Sequence, residues 1–220
     1  MRKEPSSGSM LPMGDIDPNP AQPRRRFDPT ALQELALAVA LVRDNAAQFN
    51  IDPNRIVVAG FSAGGHLTAS LGVLWHHAFL SEKCGMANER FRPNGLVLSY
   101  PVITSGKYAH QGSIRNLLGS RYGDPELMEL VSLEKQVTPN MPPTFLWHTF
   151  EDEAVFTENS LLLAAAMRRA NVKFEMHIFP EGPHGFSLAT AEVAGENERM
   201  ISPVAAQWLG LAADWIRRLR

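Results

Sequence analysis

The sequence predicts an α/β protein with a parallel sheet flanked by helices, and three observations predict it. Short runs rich in β-branched, aromatic or leucine residues recur at residues 56–59, 95–100 and 144–148, and residues 173–179 alternate polar with apolar. Segments with helical apolar spacing separate several of them, the alternation expected when crossovers join parallel strands. The run at 95–100 is continuously apolar, as suits a strand buried on both faces, and 144–148 reads as another buried strand. About four strands are readable, and 220 residues suffice for one substantial core.

Taken in order, residues 1–27 carry Pro5, Pro12, Pro18, Pro20 and Pro23 among Ser, Gly and Asn, with no apolar period. They read as a Pro-rich tail or loop, leaving 28–220 as the folded domain. Asp28 before Pro29 is a helix start, an oxygen acceptor at the cap and a ring whose fixed φ suits the first helical position. Leu32, Leu35, Ala36, Val39, Val42, Ala46 and Phe49 then give one apolar stripe to about residue 50. A turn at 51–55 enters the first strand at 56–59. A helix follows Ser62, and a polar loop is expected at 81–93. The second strand ends at Pro101, and 104–142 reads as irregular. The third strand, 144–148, is followed by a helix from 158 to about 170. The fourth, 173–179, precedes a last helix expected from Pro203, with Val204, Trp208, Leu211, Ala212, Trp215 and Leu219 on one face.

Composition excludes several function classes. A net charge of −2, with Arg24-Arg25-Arg26 the one basic cluster, gives no electrostatic reason to expect nucleic acid. A single cysteine, Cys84, has no partner for an internal disulfide and gives no reason to expect an oxidising compartment. His76 and His77 are adjacent and would diverge on a helix, and no H-E-x-x-H occurs, so neither metal nor cofactor is expected. Met-Arg-Lys is followed by no apolar segment, hence the expectation of no signal peptide, no membrane partner and a cytoplasmic location.

The chemistry concentrates at IVVAGFSAGGH, residues 56–66. A nucleophile on a strand-to-helix turn needs this order of residue types. The turn strains the Ser62 backbone and pushes its hydroxyl outward, and Gly60 and Gly64 are expected because a side chain at either would collide. The backbone N–H of Ala63, at a helix start, would face an oxygen that becomes negative. Alone, G-x-S-x-G occurs by chance in roughly one chain in fifteen of this length. Context raises it. Functional residues of parallel sheets gather beyond the carboxyl ends of strands, where Asp152 and His184 follow the third and fourth. In that order, His184 would take the Ser62 proton and Asp152 would fix the imidazole. Glu151 and Glu153 flank Asp152, and either is the acid if the strand ends one residue differently. His66 and His148 read as locally satisfied histidines, Cys84 as inert, and Tyr100 and Pro101 either as lining the pocket or as a plain strand terminus.

IDPNRIVVAGFSAGGHLTASLG, LSYPVIT, WHTFEDEAV and EGPHGF together resemble the α/β-hydrolase esterases of the acetyl-esterase and acetylxylan-esterase-like group, over roughly residues 28–190. The resemblance implies an α/β-hydrolase fold and a serine carboxylic-ester hydrolase for small acyl esters, acetyl foremost, of a sugar or simple alcohol, working without a metal. It assigns Ser62 as nucleophile, Asp152 of the D-x-x-V segment as acid and His184 of the G-x-H-G-F segment as base. Phe156 stands where the family often has Pro. The family's Gly-rich oxyanion loop has no counterpart, since only Gly8 and Gly14 precede Gly60. The four strands match the last four of about eight, which implies a hydrolase lacking its N-terminal portion, a fragment or a truncated coding sequence. The strand bearing Ser62 would then be an exposed sheet edge open to self-association. An impaired hydrolase-like fragment or binding protein is the alternative, and a serine peptidase fits less well.

Overall fold

Among the described residues four strands, all parallel, cross the sheet in chain order: β1 Val57–Phe61, β2 Gly95–Ser99, β3 Thr144–Thr149 and β4 Phe174–Phe179. The computed structural model describes residues 29–219; the Pro-rich stretch and the Asp28 cap expected from sequence lie outside them. Register pairs Val58 with Leu96, Leu98 with Leu146, and Leu146 with Met176. Alternate residues therefore serve opposite faces. Leu96, Leu98 and Leu146 enter one core with Leu32, Ala36, Val39, Leu71 and Leu163. Val97, Phe145 and Trp147 enter a second with Trp208, Ala212 and Trp215. β2 and β3 are buried throughout, and in β3 the buried set includes the polar Thr144, His148 and Thr149.

Helices complete the layers. α1 Thr30–Asp44 and α3 Ser62–Leu74 pack on the first face with α4 Ala78–Cys84 and α7 Glu158–Arg169. α9 Trp208–Arg218 covers the second. Trp147 stacks on Trp208 with centroids 5.1 Å apart, tying β3 to α9, while its indole N–H donates to Ser99 Oγ at 2.7 Å.

Several boundaries differ from expectation for local reasons. The first helix does not run unbroken to residue 50. The helix closes at Asn45, whose backbone N–H and side-chain amide both donate to the Leu41 carbonyl, at 3.1 and 2.8 Å; a separate turn, α2 Ala46–Phe49, follows, and Phe49 is half exposed. Pro29 is the cap of α1 rather than its first residue. The polar stretch 81–93 is not a plain loop, since α4 and a 3₁₀ turn at Asn88–Phe91 occupy it. Nor is 104–142 irregular: α5 Gln111–Leu118 and α6 Pro125–Leu130 form a small layer burying Val102, Ile114, Leu118 and Leu127. The last helix begins at Trp208, not Pro203. Ser202 Oγ accepts from Ala205 N–H and starts a 3₁₀ turn, Ala205–Gln207, that leads into it. A short helix, α8 Ala191–Ala194, lies before it.

Among the described residues β1 pairs only with β2, so it is an edge, with Ala59 and Phe61 exposed. No described helix is long and apolar enough to cross a membrane.

Candidate active site

Ser62 is the first residue of α3, immediately after β1, with φ +53, a left-handed backbone uncommon outside glycine. Packing holds it there. Val102 N–H donates to the Ser62 carbonyl at 3.1 Å. A Cβ on Gly60 would stand 2.3 Å from the Gly64 carbonyl oxygen and 2.3 Å from Thr68 Oγ1, so strand and helix approach too closely for any side chain. The collision expected at Gly64 is absent, because nothing lies within 4 Å of a Cβ there. The second tight position is Gly65, whose Cβ would meet Pro101 Cβ at 2.7 Å and Cα at 2.9 Å. Sequence reasoning missed Gly65 because the neighbour that excludes a side chain comes from the end of another strand.

The four carboxyl ends bring the remaining groups together. The Ser62 hydroxyl donates to His184 Nε2 at 2.7 Å, and His184 Nδ1–H donates to Asp152 Oδ2 at 2.6 Å. Asp152 is buried, and its Oδ1 accepts from the N–H groups of Ala154 at 3.0 Å and Val155 at 2.8 Å. Burial alone would push this carboxyl up. The hydrogen bonds from His148, His184 and Val155, with the charge of His184, outweigh it and hold Asp152 well below the usual carboxylate range. Of the three acidic neighbours, Asp152 is the one that meets His184; Glu151 instead accepts from Gly182 N–H at 3.2 Å, and Glu153 is exposed.

Tyr100 is buried beneath the base rather than open to the site. Its ring meets His184 edge-on at 5.2 Å, and its hydroxyl accepts from Ser187 N–H at 3.0 Å, anchoring the segment that carries His184. Burial raises the phenol's pKa, so it stays protonated. Pro101 is buried against α3 at Gly65. Ala63 lies in the first turn of α3, where backbone N–H groups have no acceptor within the helix. His66 is buried with Nε2 on the Val131 carbonyl at 2.9 Å, and burial lowers its pKa. Burial raises the pKa of the Cys84 thiol, which therefore stays protonated. Among the described residues no three His, Cys, Asp or Glu side chains converge as a metal ion would require. A cavity of about 630 Å³ lies along α3, lined by Ala63, Gly64, Leu67, Ile114 and Val131.

Residues 22–167, about two thirds of the chain, match the BD-FAE family model. The chain belongs to the BD-FAE family. The α/β-hydrolase esterase resemblance read from the four sequence blocks is thus borne out, as is the fold. Among curated relatives, endo-1,4-β-xylanase B of Butyrivibrio fibrisolvens is 44% identical over 161 residues, covering 73% of this chain and 25% of that protein. The acetylxylan esterase of Xylanibacter ruminicola is 34% identical over 154 residues, 68% of this chain and 30% of its own length. Among solved structures, the acetyl ester-xyloside bifunctional hydrolase of Caldicellulosiruptor lactoaceticus superposes with a TM-score of 0.71 at 40% identity, over 84% of this chain and 64% of that one. The carboxylesterase Cest-2923 of Lactobacillus plantarum gives 0.74 at 28% identity, over 88% and 69%. This BD-FAE chain thus spans a quarter to a third of the two curated relatives and about two thirds of the two solved ones.

Proposed function

We propose that this BD-FAE protein is a serine carboxylic-ester hydrolase acting on small acyl esters, acetyl esters of carbohydrates foremost. One observation carries the reading: the unbroken hydrogen-bonded series from Ser62 Oγ through the His184 imidazole to the buried Asp152 carboxylate. His184 takes the hydroxyl proton as Ser62 attacks the ester carbonyl. The imidazolium then gives that proton to the leaving alcohol, and Asp152 stabilises its charge. Water, activated by the same base, cleaves the acyl-enzyme. The Ala63 N–H supplies an oxyanion donor.

The relatives named as an acetylxylan esterase and an acetyl ester-xyloside hydrolase support an acylated sugar as the alcohol part. One relative is named a xylanase, but glycoside cleavage generally uses two carboxyl groups flanking the bond, and here Asp152 lies behind His184. The β1 edge is the place where a second chain would add a strand, giving concentration-dependent association in sedimentation.

Purified protein should hydrolyse p-nitrophenyl acetate, and Ser62→Ala should not. Equal rates for the two would remove the esterase reading and leave a hydrolase-like binding protein.

A further inference from the structure

His148 is the last histidine before the acid, four residues upstream at the end of β3, and its side chain is wholly buried. Its Nε2 lies 2.8 Å from the Val155 carbonyl oxygen and 3.2 Å from Asp152 Oδ2, while Nδ1 lies 2.7 Å from Ser160 Oγ on α7. A carbonyl and a carboxylate can only accept, so the ring proton must sit on Nε2, shared between them. Oδ2 therefore receives two imidazole N–H groups, from His184 and His148, and Oδ1 two backbone N–H groups. The carboxylate is held from both ends. With His184 removed it would still have one orientation, because His148 and the turn from Asp152 to Val155 fix it.

We infer that His148 is a positioning residue of the Ser62–His184–Asp152 array, setting the carboxylate so that Oδ2 aims its remaining lone pair at His184 Nδ1. This rests on the acyl-transfer reading and adds a member that the nucleophile, base and acid assignments do not include. The hydrogen bonds of His148 go to Asp152, Val155 and Ser160 and not to Ser62 or the base, so its effect passes through Asp152. A purely structural histidine at this depth would serve Val155 and Ser160 and be indifferent to the carboxylate.

Two measurements test it. In the wild-type protein, long-range ¹H–¹⁵N NMR should show His148 carrying its proton on Nε2, and Asp152→Asn should shift that signal while Ser62→Ala leaves it in place. An unprotonated Nε2, or a signal blind to Asp152→Asn, overturns the inference. For kinetics on p-nitrophenyl acetate, kcat is taken per folded molecule, with the folded fraction read from thermal melts. His148→Leu should lower kcat about tenfold to hundredfold at unchanged KM, in line with the cost of a displaced catalytic group. His148→Gln, whose amide nitrogen reaches the place of Nε2, should stay within about threefold. Equal kcat for both variants and wild type overturns the positioning role. If His148→Leu does not fold, the Gln variant and the wild-type NMR signal still decide. Should wild type and Ser62→Ala turn over ester equally, the esterase reading fails, and the NMR response to Asp152→Asn independently decides whether His148 holds the carboxylate.

Discussion

Gly60→Ala should damage both stability and turnover, whereas Gly64→Ala, at the other end of the same motif, should damage neither. The added methyl at Gly60 would lie 2.3 Å from the Gly64 carbonyl oxygen and 2.7 Å from its carbon, so main chain must yield. Reaching even 3.0 Å requires the first turn of α3 to retreat by about 0.7 Å, and Thr68 Oγ1 must rotate away as well. Overpacking of this kind costs about 1–3 kcal/mol. For a domain of this size that lowers Tm by about 2–4 °C per kcal/mol. The retreat carries Ser62 with it, and a misplacement near 1 Å costs about a hundredfold in rate. At Gly64 the methyl meets nothing, and replacing a helical glycine stabilises by up to about 1 kcal/mol. Thermal melts and p-nitrophenyl acetate turnover of the two variants read both effects. Wild-type Tm and kcat in Gly60→Ala, or equal damage from Gly64→Ala, would refute the steric reasoning.

Other variants probe the neighbouring contacts. Gly65→Ala should resemble Gly60→Ala in Tm loss, since it presses on the Pro101 ring and main chain; an unchanged melt would show that Pro101 moves freely. Tyr100→Phe keeps the ring edge against His184 but leaves the Ser187 N–H unpaired, costing about 1–2 kcal/mol in melts with a several-fold fall in kcat. Asp152→Asn should lower kcat by about a thousandfold or more and also change the acid limb of stability. Because the folded carboxyl titrates below its unfolded value near 3.9, its stabilising contribution is complete above that pH and is lost as pH falls toward the folded value. Urea melts should therefore show wild type gaining over Asp152→Asn above about pH 4, with the gap narrowing below it.

Much of the fold was readable because β2 and β3 are buried on both faces, which leaves the run from Gly95 to Tyr100 and the apolar centre Phe145-Leu146-Trp147 in the sequence. What escaped was structure with few buried residues. α4 buries Leu80 alone, and α5 buries only Ile114 and Leu118, one i,i+4 pair, too little to establish a period. The α5 cap is the His110 side chain, accepting from Ser113 N–H, and histidine is not among the residues that announce a helix start. α6 was legible in principle. Asp124 caps it and Pro125 opens it, the signature read at Asp28-Pro29. At the site, Ser62, Asp152 and His184 could be placed from chain order and strand ends. The Gly65–Pro101 contact, the Tyr100 hydroxyl on Ser187 and the two-histidine carboxylate could not, since each joins residues whose proximity only the folded sheet creates.

The most direct test of an activated nucleophile at Ser62 is covalent labelling with a fluorophosphonate, followed by peptide mass spectrometry. A single adduct on the peptide containing Ser62, abolished by Ser62→Ala and strongly slowed by His184→Ala, is the predicted result. No adduct at Ser62, or labelling that does not depend on His184, would contradict it.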